Sequence, residues 1–163
     1  MADGIVIWSK KPVQQKKILL DMVLAAYEAN IPFNCEGNIA YEFEGQQKIY
    51  PNQFTLTKTK GEEVDFMIFH ISNYEEQKYG IEKWENVNFI NHFGNQITFP
   101  LLYRITVSED MDNELTFHFS YHYLQLNKEH VISFSDYLVD WDLINAVYKF
   151  GFKENWYPLD KQV

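Results

Sequence analysis

The chain predicts an α+β fold: helix, three-stranded antiparallel meander, helix, long two-stranded hairpin, C-terminal helix. Three observations carry this. Two long runs of alternating apolar and polar residues, separated by Glu109–Asn113, fill the stretch from Ile97 to Leu126. Three shorter alternating runs punctuated by turn residues lie between Ile39 and Ile71. Segments of helical period, bounded by recognisable starts and stops, stand near both ends. At 163 residues the chain fits one domain spanning 1–163, with a core over about 12–150, a terminal arm at 1–11 and a tail at 151–163.

In chain order, Gly4–Trp8 is a short apolar stretch, a terminal strand or an extended arm. Pro12 suits a first helical turn, where its missing N–H costs nothing. The helix runs from there to about Glu28 and stops at Asn30 and Ile31-Pro32. Lys17, Asp21 and Glu28 form one polar strip, while Ile18, Leu19, Leu20, Met22, Val23, Leu24 and Tyr27 cover nearly everything else. That arc is wider than one core contact requires, so the helix is either sandwiched within the monomer or shared with another chain.

Ile39, Tyr41 and Phe43 then alternate with Ala40, Glu42 and Glu44, followed by a turn at Gly45. Phe54 and Leu56 alternate with Thr55 and Thr57. Lys60-Gly61-Glu62 is expected as a three-residue hairpin loop leading into Val64–Ile71, apolar on both faces from Phe66 and so suited to a central position. The stretch from Ile81 to Phe93, closed by Gly94, predicts a middle helix, with a strand over Val87–Phe93 as the alternative. Its apolar residues Trp84, Val87, Phe89, Ile90 and Phe93 spread around a helical circumference, which marks them as candidates for a partner interface.

The hairpin places Ile97, Phe99, Leu101, Tyr103, Ile105 and Val107 on one strand and Leu115, Phe117, Phe119, Tyr121 and Tyr123 on the other, turning at Glu109–Asn113. Keeping like faces together pairs Val107 with Leu115, Ile105 with Phe117 and Tyr103 with Phe119. His118, Ser120 and His122 then share the polar face, with Arg104 across from His118. Val131–Phe134 briefly extends the sheet. Ser133-x-x-Asp136 offers a capping box for a helix over Asp136–Phe150 stopped by Gly151. Asp136 and Asp140 sit at its positive end.

At this point the element order resembles that of the YbjN-like group of small proteins, similar in fold to type III secretion chaperones. The stretches that carry the likeness are Tyr27-Glu28-Ala29-Asn30-Ile31-Pro32 at the end of the first helix, the meander through Ile71, Asn88-Phe89-Ile90-Asn91, the hairpin and the Ser133–Phe150 helix. It covers about Pro12 to Phe150. The resemblance implies a small, acidic, non-enzymatic and often dimeric protein.

Composition narrows the function classes. A formal net charge of −9 argues against nucleic-acid binding, which needs clustered Lys and Arg, and fits either solubility or a basic partner. Cys35 is the single cysteine, expected in a loop, so there is no internal disulfide and no zinc spacing. No apolar run of membrane-spanning length and no signal-peptide core occur, making a cytoplasmic location the expectation. There is no phosphate loop, no dinucleotide fingerprint, no HExxH and no GxSxG. Arg104, His118 and His122 are the polar-face candidates for a metal, a small ligand or acid–base work, against a bare sheet face. Asp110-x-Asp112-x-Glu114 lacks the glycine and distal glutamate of a calcium loop and fits a solvated hairpin tip.

No catalytic, cofactor-binding or metal residues are expected. The leading expectation is a non-enzymatic protein-binding module, chaperone-like or regulatory, with a homodimer possible and no nucleic-acid or membrane partner. An acidic immunity or inhibitor-type protein and a small-ligand binder are the alternatives.

Overall fold

The computed structural model describes residues 4–41, 47–72, 86–91, 96–100, 103–108, 112–134, 137–154 and 156. Along these the elements are β1 (Ile5–Ser9), α1 (Gln15–Glu28), β2 (Phe33–Tyr41), β3 (Gln47–Lys60), β4 (Glu63–Ile71), β5 (Asn86–Asn91), β6 (Gln96–Pro100), β7 (Tyr103–Ser108), α2 (Asn113–Leu126), β8 (Val131–Phe134), β9 (Tyr137–Val139) and α3 (Trp141–Tyr148). The α+β class stands. The expected sheet of about five strands is instead nine-stranded, ordered β2-β3-β4-β7-β1-β8-β9-β5-β6. Neighbours are antiparallel except β5 and β9, which pair in parallel.

The meander β2-β3-β4 forms as expected. Lys60 pairs with Glu63, so the loop is the two residues Gly61 and Glu62 rather than three. Gly61 sits at φ 62°, the left-handed region a side chain resists, and is the loop residue with positive φ. β4 does lie inside the sheet, between β3 and β7. Only one of its faces is covered among the described residues: Met67, Phe69 and Ile71 are buried while Val64 and Phe66 are exposed. Cys35 lies exposed on β2, opposite Phe54, not in a loop.

α1 starts at Gln15, after Pro12, and ends in a Schellman arrangement. Asn30 adopts φ 55°, its N–H donates to Tyr27 O at 3.0 Å, and the Ile31 N–H donates to Ala26 O at 2.9 Å. The helix packs Ile18, Met22, Ala25 and Ala26 into the core. Beneath α1 and α2, the sheet contributes Ile5, Ile7, Phe54, Leu56, Met67, Phe69 and Ile105.

Four expectations are corrected. Of the two readings of the apolar N-terminal stretch the strand holds and the arm falls: β1 lies between β7 and β8 in the middle of the sheet, with Ile5 and Ile7 fully buried. The Ile97–Leu126 hairpin does not exist. β6 pairs with β5, β7 pairs with β1 and β4, and Asn113–Leu126 is helix α2, so the registers proposed across that hairpin fall. Leu115, Phe119 and Tyr123, every second apolar residue of the alternating run, are also spaced i, i+4, i+8. With Thr116, Ser120 and Leu124 they form a buried helical stripe. Asp112 caps this helix, its carboxylate accepting from the Leu115 N–H at 2.8 Å.

The middle helix is likewise a strand over Asn86–Asn91, as the alternative had it. Hydrogen bonding on both sides, to β6 and β9, outweighs an irregular helical wheel. Val87, Phe89 and Ile90 lie on β5, whereas Trp84 and Phe93 fall outside the described residues. The last helix starts at Trp141, because Tyr137–Val139 pairs with β8 and Asp140 takes the cap, accepting from the Leu143 N–H at 2.8 Å. Gly151, at φ 77°, does follow it as a stop, and Asp136 falls outside the described residues.

Candidate functional site

Once α2 commits its buried stripe to the sheet, its flank carrying His118, Tyr121 and His122 meets α3. Tyr148 of α3 enters between the two histidines. Its Oη lies 3.2 Å from His118 Nδ1 and 3.4 Å from His122 Nε2. The Tyr148 ring stacks flat on Tyr121, centroids 3.6 Å apart and 4° between planes. Phe117, Phe152 and Trp141 complete an aromatic surround, and Trp156 of the tail packs on Phe117 at 5.2 Å. The tail is held by Asn113, which accepts from Trp156 Nε1 at 2.6 Å and donates to Glu154 O at 2.7 Å.

Burial lowers the pKa of His118, with Glu114 opposing and Lys58 assisting. Burial also lowers that of His122, Glu28 opposing and His118 assisting. Burial pushes the Tyr148 phenol up. Both imidazoles are therefore neutral near pH 7 and the phenol keeps its proton. The phenol has one proton to give, so it donates to one ring nitrogen and accepts from the other. The unit is a hydrogen-bonded N···O···N chain, not an activated nucleophile.

The expected Arg104–His118–His122 face is not assembled. Arg104 stands on β7, opposite Trp8 of β1, and its buried Nε has no partner among the described residues. Ser120 turns away into the core. What unites the two histidines is their i, i+4 spacing on a helix, the single signal available in the sequence once α2 is known to be helical. Tyr148, 30 residues beyond His118, carries no local signal of its role. The half calcium loop resolves as the Asp112 cap and an ion-pair site. Lys58 bonds Glu114 and lies 3.6 Å from Asp112. Burial works against its charge, but those two carboxylates outweigh it and raise the Lys58 pKa. Asp110 lies outside the described residues.

A second surface lies on α1. Leu20, Leu24 and Tyr27, spaced i, i+4, i+7, are 52%, 48% and 74% exposed. The stripe leads to an open groove of about 520 Å³ lined by Ala26, Tyr27, Asn30, Ile31, Pro32 and Phe33. Phe33, also exposed, opens β2 at the outer edge of the strand order. Leu20, Leu24 and Tyr27 belong to the over-wide apolar arc legible in the sequence; Phe33 gave no separate signal.

Among the described residues no group of three or more His, Cys, Asp or Glu side chains converges. Nor is any helix there long and apolar enough to cross a membrane. No family model matches the chain, and neither the curated proteins nor the solved structures yield a match.

Proposed function

We propose that this chain is a non-catalytic protein-binding module, chaperone-like or regulatory, whose contact surface is the α1 stripe and the groove at its end. One observation carries the reading. Three large apolar side chains, Leu20, Leu24 and Tyr27, stand in water along one side of a helix whose other side already fills the core. Stripes of this spacing are how helices meet apolar grooves or other helices, and soluble proteins rarely leave them bare. Phe33 and the groove extend the stripe past the helix end, giving a pocket for an anchoring side chain. The bound protein is another chain or a second copy, the homodimer.

The test places a photo-crosslinking residue at Tyr27, with Glu62 as the control position on the distal hairpin. Crosslinks in the native host confined to position 27 identify the partner. Purified partner should then bind Leu24→Glu more than about tenfold more weakly than wild type. Equal crosslinking at both positions, or unchanged affinity, overturns the reading. Sedimentation equilibrium settles the second-copy case: a dimer that Leu24→Glu dissociates assigns this surface to self-association.

A further inference from the structure

The His118–Tyr148–His122 unit has a geometry that its hydrogen bonding does not require. Its nitrogens come from histidines one turn apart on a rigid helix, the spacing with which a helix chelates a metal ion. The third atom, Tyr148 Oη, is delivered by a different helix. The two nitrogen-to-oxygen separations are 3.2 and 3.4 Å. A tetrahedral ion with bonds of about 2.0–2.1 Å keeps neighbouring donors roughly 3.3 Å apart, the edge of its coordination tetrahedron. The two nitrogen–oxygen edges thus already stand at ligand-to-ligand distance.

We propose that His118 Nδ1, His122 Nε2 and Tyr148 Oη form a binding site for a divalent transition-metal ion, with zinc favoured and water in the fourth position. Imidazole suits zinc and copper, whereas magnesium and calcium take shells of about six or more oxygens and the site offers one, Tyr148 Oη. Each ligand is half-buried, so the ion has a path from solvent, and the surround of Phe117, Tyr121 and Phe152 fixes the rings. Binding exchanges the hydrogen-bonded N···O···N chain for coordinate bonds. The imidazole that donates to the phenol gives up that proton to solvent and takes one on its other ring nitrogen, and the phenol either coordinates as it stands or releases its proton to solvent. The ion would clamp α3 to α2. This inference does not rest on the protein-binding reading, which concerns α1.

Chelator-treated protein titrated with zinc alone, by calorimetry, tests it. One zinc per chain is expected. His118→Gln and His122→Gln should each weaken binding by about tenfold or more, and Tyr148→Phe by less. Copper should bind the same site more tightly, with an electron paramagnetic resonance spectrum showing two nitrogens in wild type and one in either glutamine variant. Circular dichroism checks that the variants fold; for one that does not, the nitrogen count in wild type alone decides. Substoichiometric zinc, binding that survives both histidine replacements together, or binding abolished by Cys35→Ser overturns the site.

Discussion

Tyr123 and His130 meet inside the protein, with Oη 3.2 Å from Nδ1 and neither ring open to water. Burial drives the phenol pKa strongly upward, reinforced by Asp21 and Glu129, so the phenol keeps its proton and donates it to Nδ1. The imidazole is then neutral, with its other nitrogen 3.7 Å from a Glu129 carboxylate oxygen. The pair closes the end of α2 against the start of β8, where Lys17 also donates to Asn127 at 3.1 Å.

That contact predicts acid sensitivity. Burial, assisted by Lys17 and opposed by Glu129 and Asp21, lowers the His130 pKa from 6.5 to about 4. Between these values the unfolded chain binds a proton that the folded chain refuses, so stability rises with pH across the window. It is complete above about 6.5 and lost as pH falls towards 4, on the order of 3 kcal/mol from this group. His118 and His122, also lowered, act in the same direction. Proton titration by nuclear magnetic resonance should find His130 titrating near 4, well below the 6.5 of an unperturbed imidazole. Urea unfolding between pH 7 and 4 should show a shallower decline for His130→Gln than for wild type. Titration of His130 near 6.5 would refute the sealed pair.

Phe119 tests the identity of the core. It is fully buried, 5.0 Å from Phe69 and 5.7 Å from Tyr123, centroid to centroid. Phe119→Ala should cost about 3–5 kcal/mol in denaturant unfolding, from lost burial plus the cavity left between helix and sheet. Less than 1 kcal/mol would place this side of α2 outside the core.

The two aspartate caps offer a graded comparison. Asp112→Ala and Asp140→Ala each remove a side-chain acceptor from a helix start, worth about 1 kcal/mol. Asp112 also faces Lys58, but Glu114 retains that lysine, so the extra loss is small. Both variants should therefore fall about 1–1.5 kcal/mol below wild type. Thermal unfolding indistinguishable from wild type would remove Asp112 from the cap.

Ser120 makes the opposite prediction. Its hydroxyl is buried in α2 and has no hydrogen-bond partner among the described residues. Ser120→Ala deletes an unsatisfied polar atom and raises helix propensity, so it should stabilise the protein by about 1 kcal/mol. A loss of stability would mean that the hydroxyl is paired, for instance by an ordered water.

The sequence alone determined the α+β class, the end of α1 and the meander β2-β3-β4. In each the signal is local: Asn30 and Ile31-Pro32 stop a helix by their own backbone preferences, and Gly61 turns a hairpin by its own. It also showed that α1 carries more apolar surface than one contact uses. Between Leu115 and Tyr123 local pattern failed, because alternate aromatic residues include every fourth one, so periods of two and of 3.6 share their strongest positions. Tertiary structure chose the helix, since only there do Leu115, Phe119 and Tyr123 reach the sheet while Asp112 caps the start. The same holds for β1, whose place in the middle of the sheet depends on pairing with β7 and β8, about a hundred or more residues away. The His118–Tyr148–His122 unit belongs with these long-range outcomes. The helix supplies the histidine spacing, but the phenol between them arrives only when α3 docks on α2.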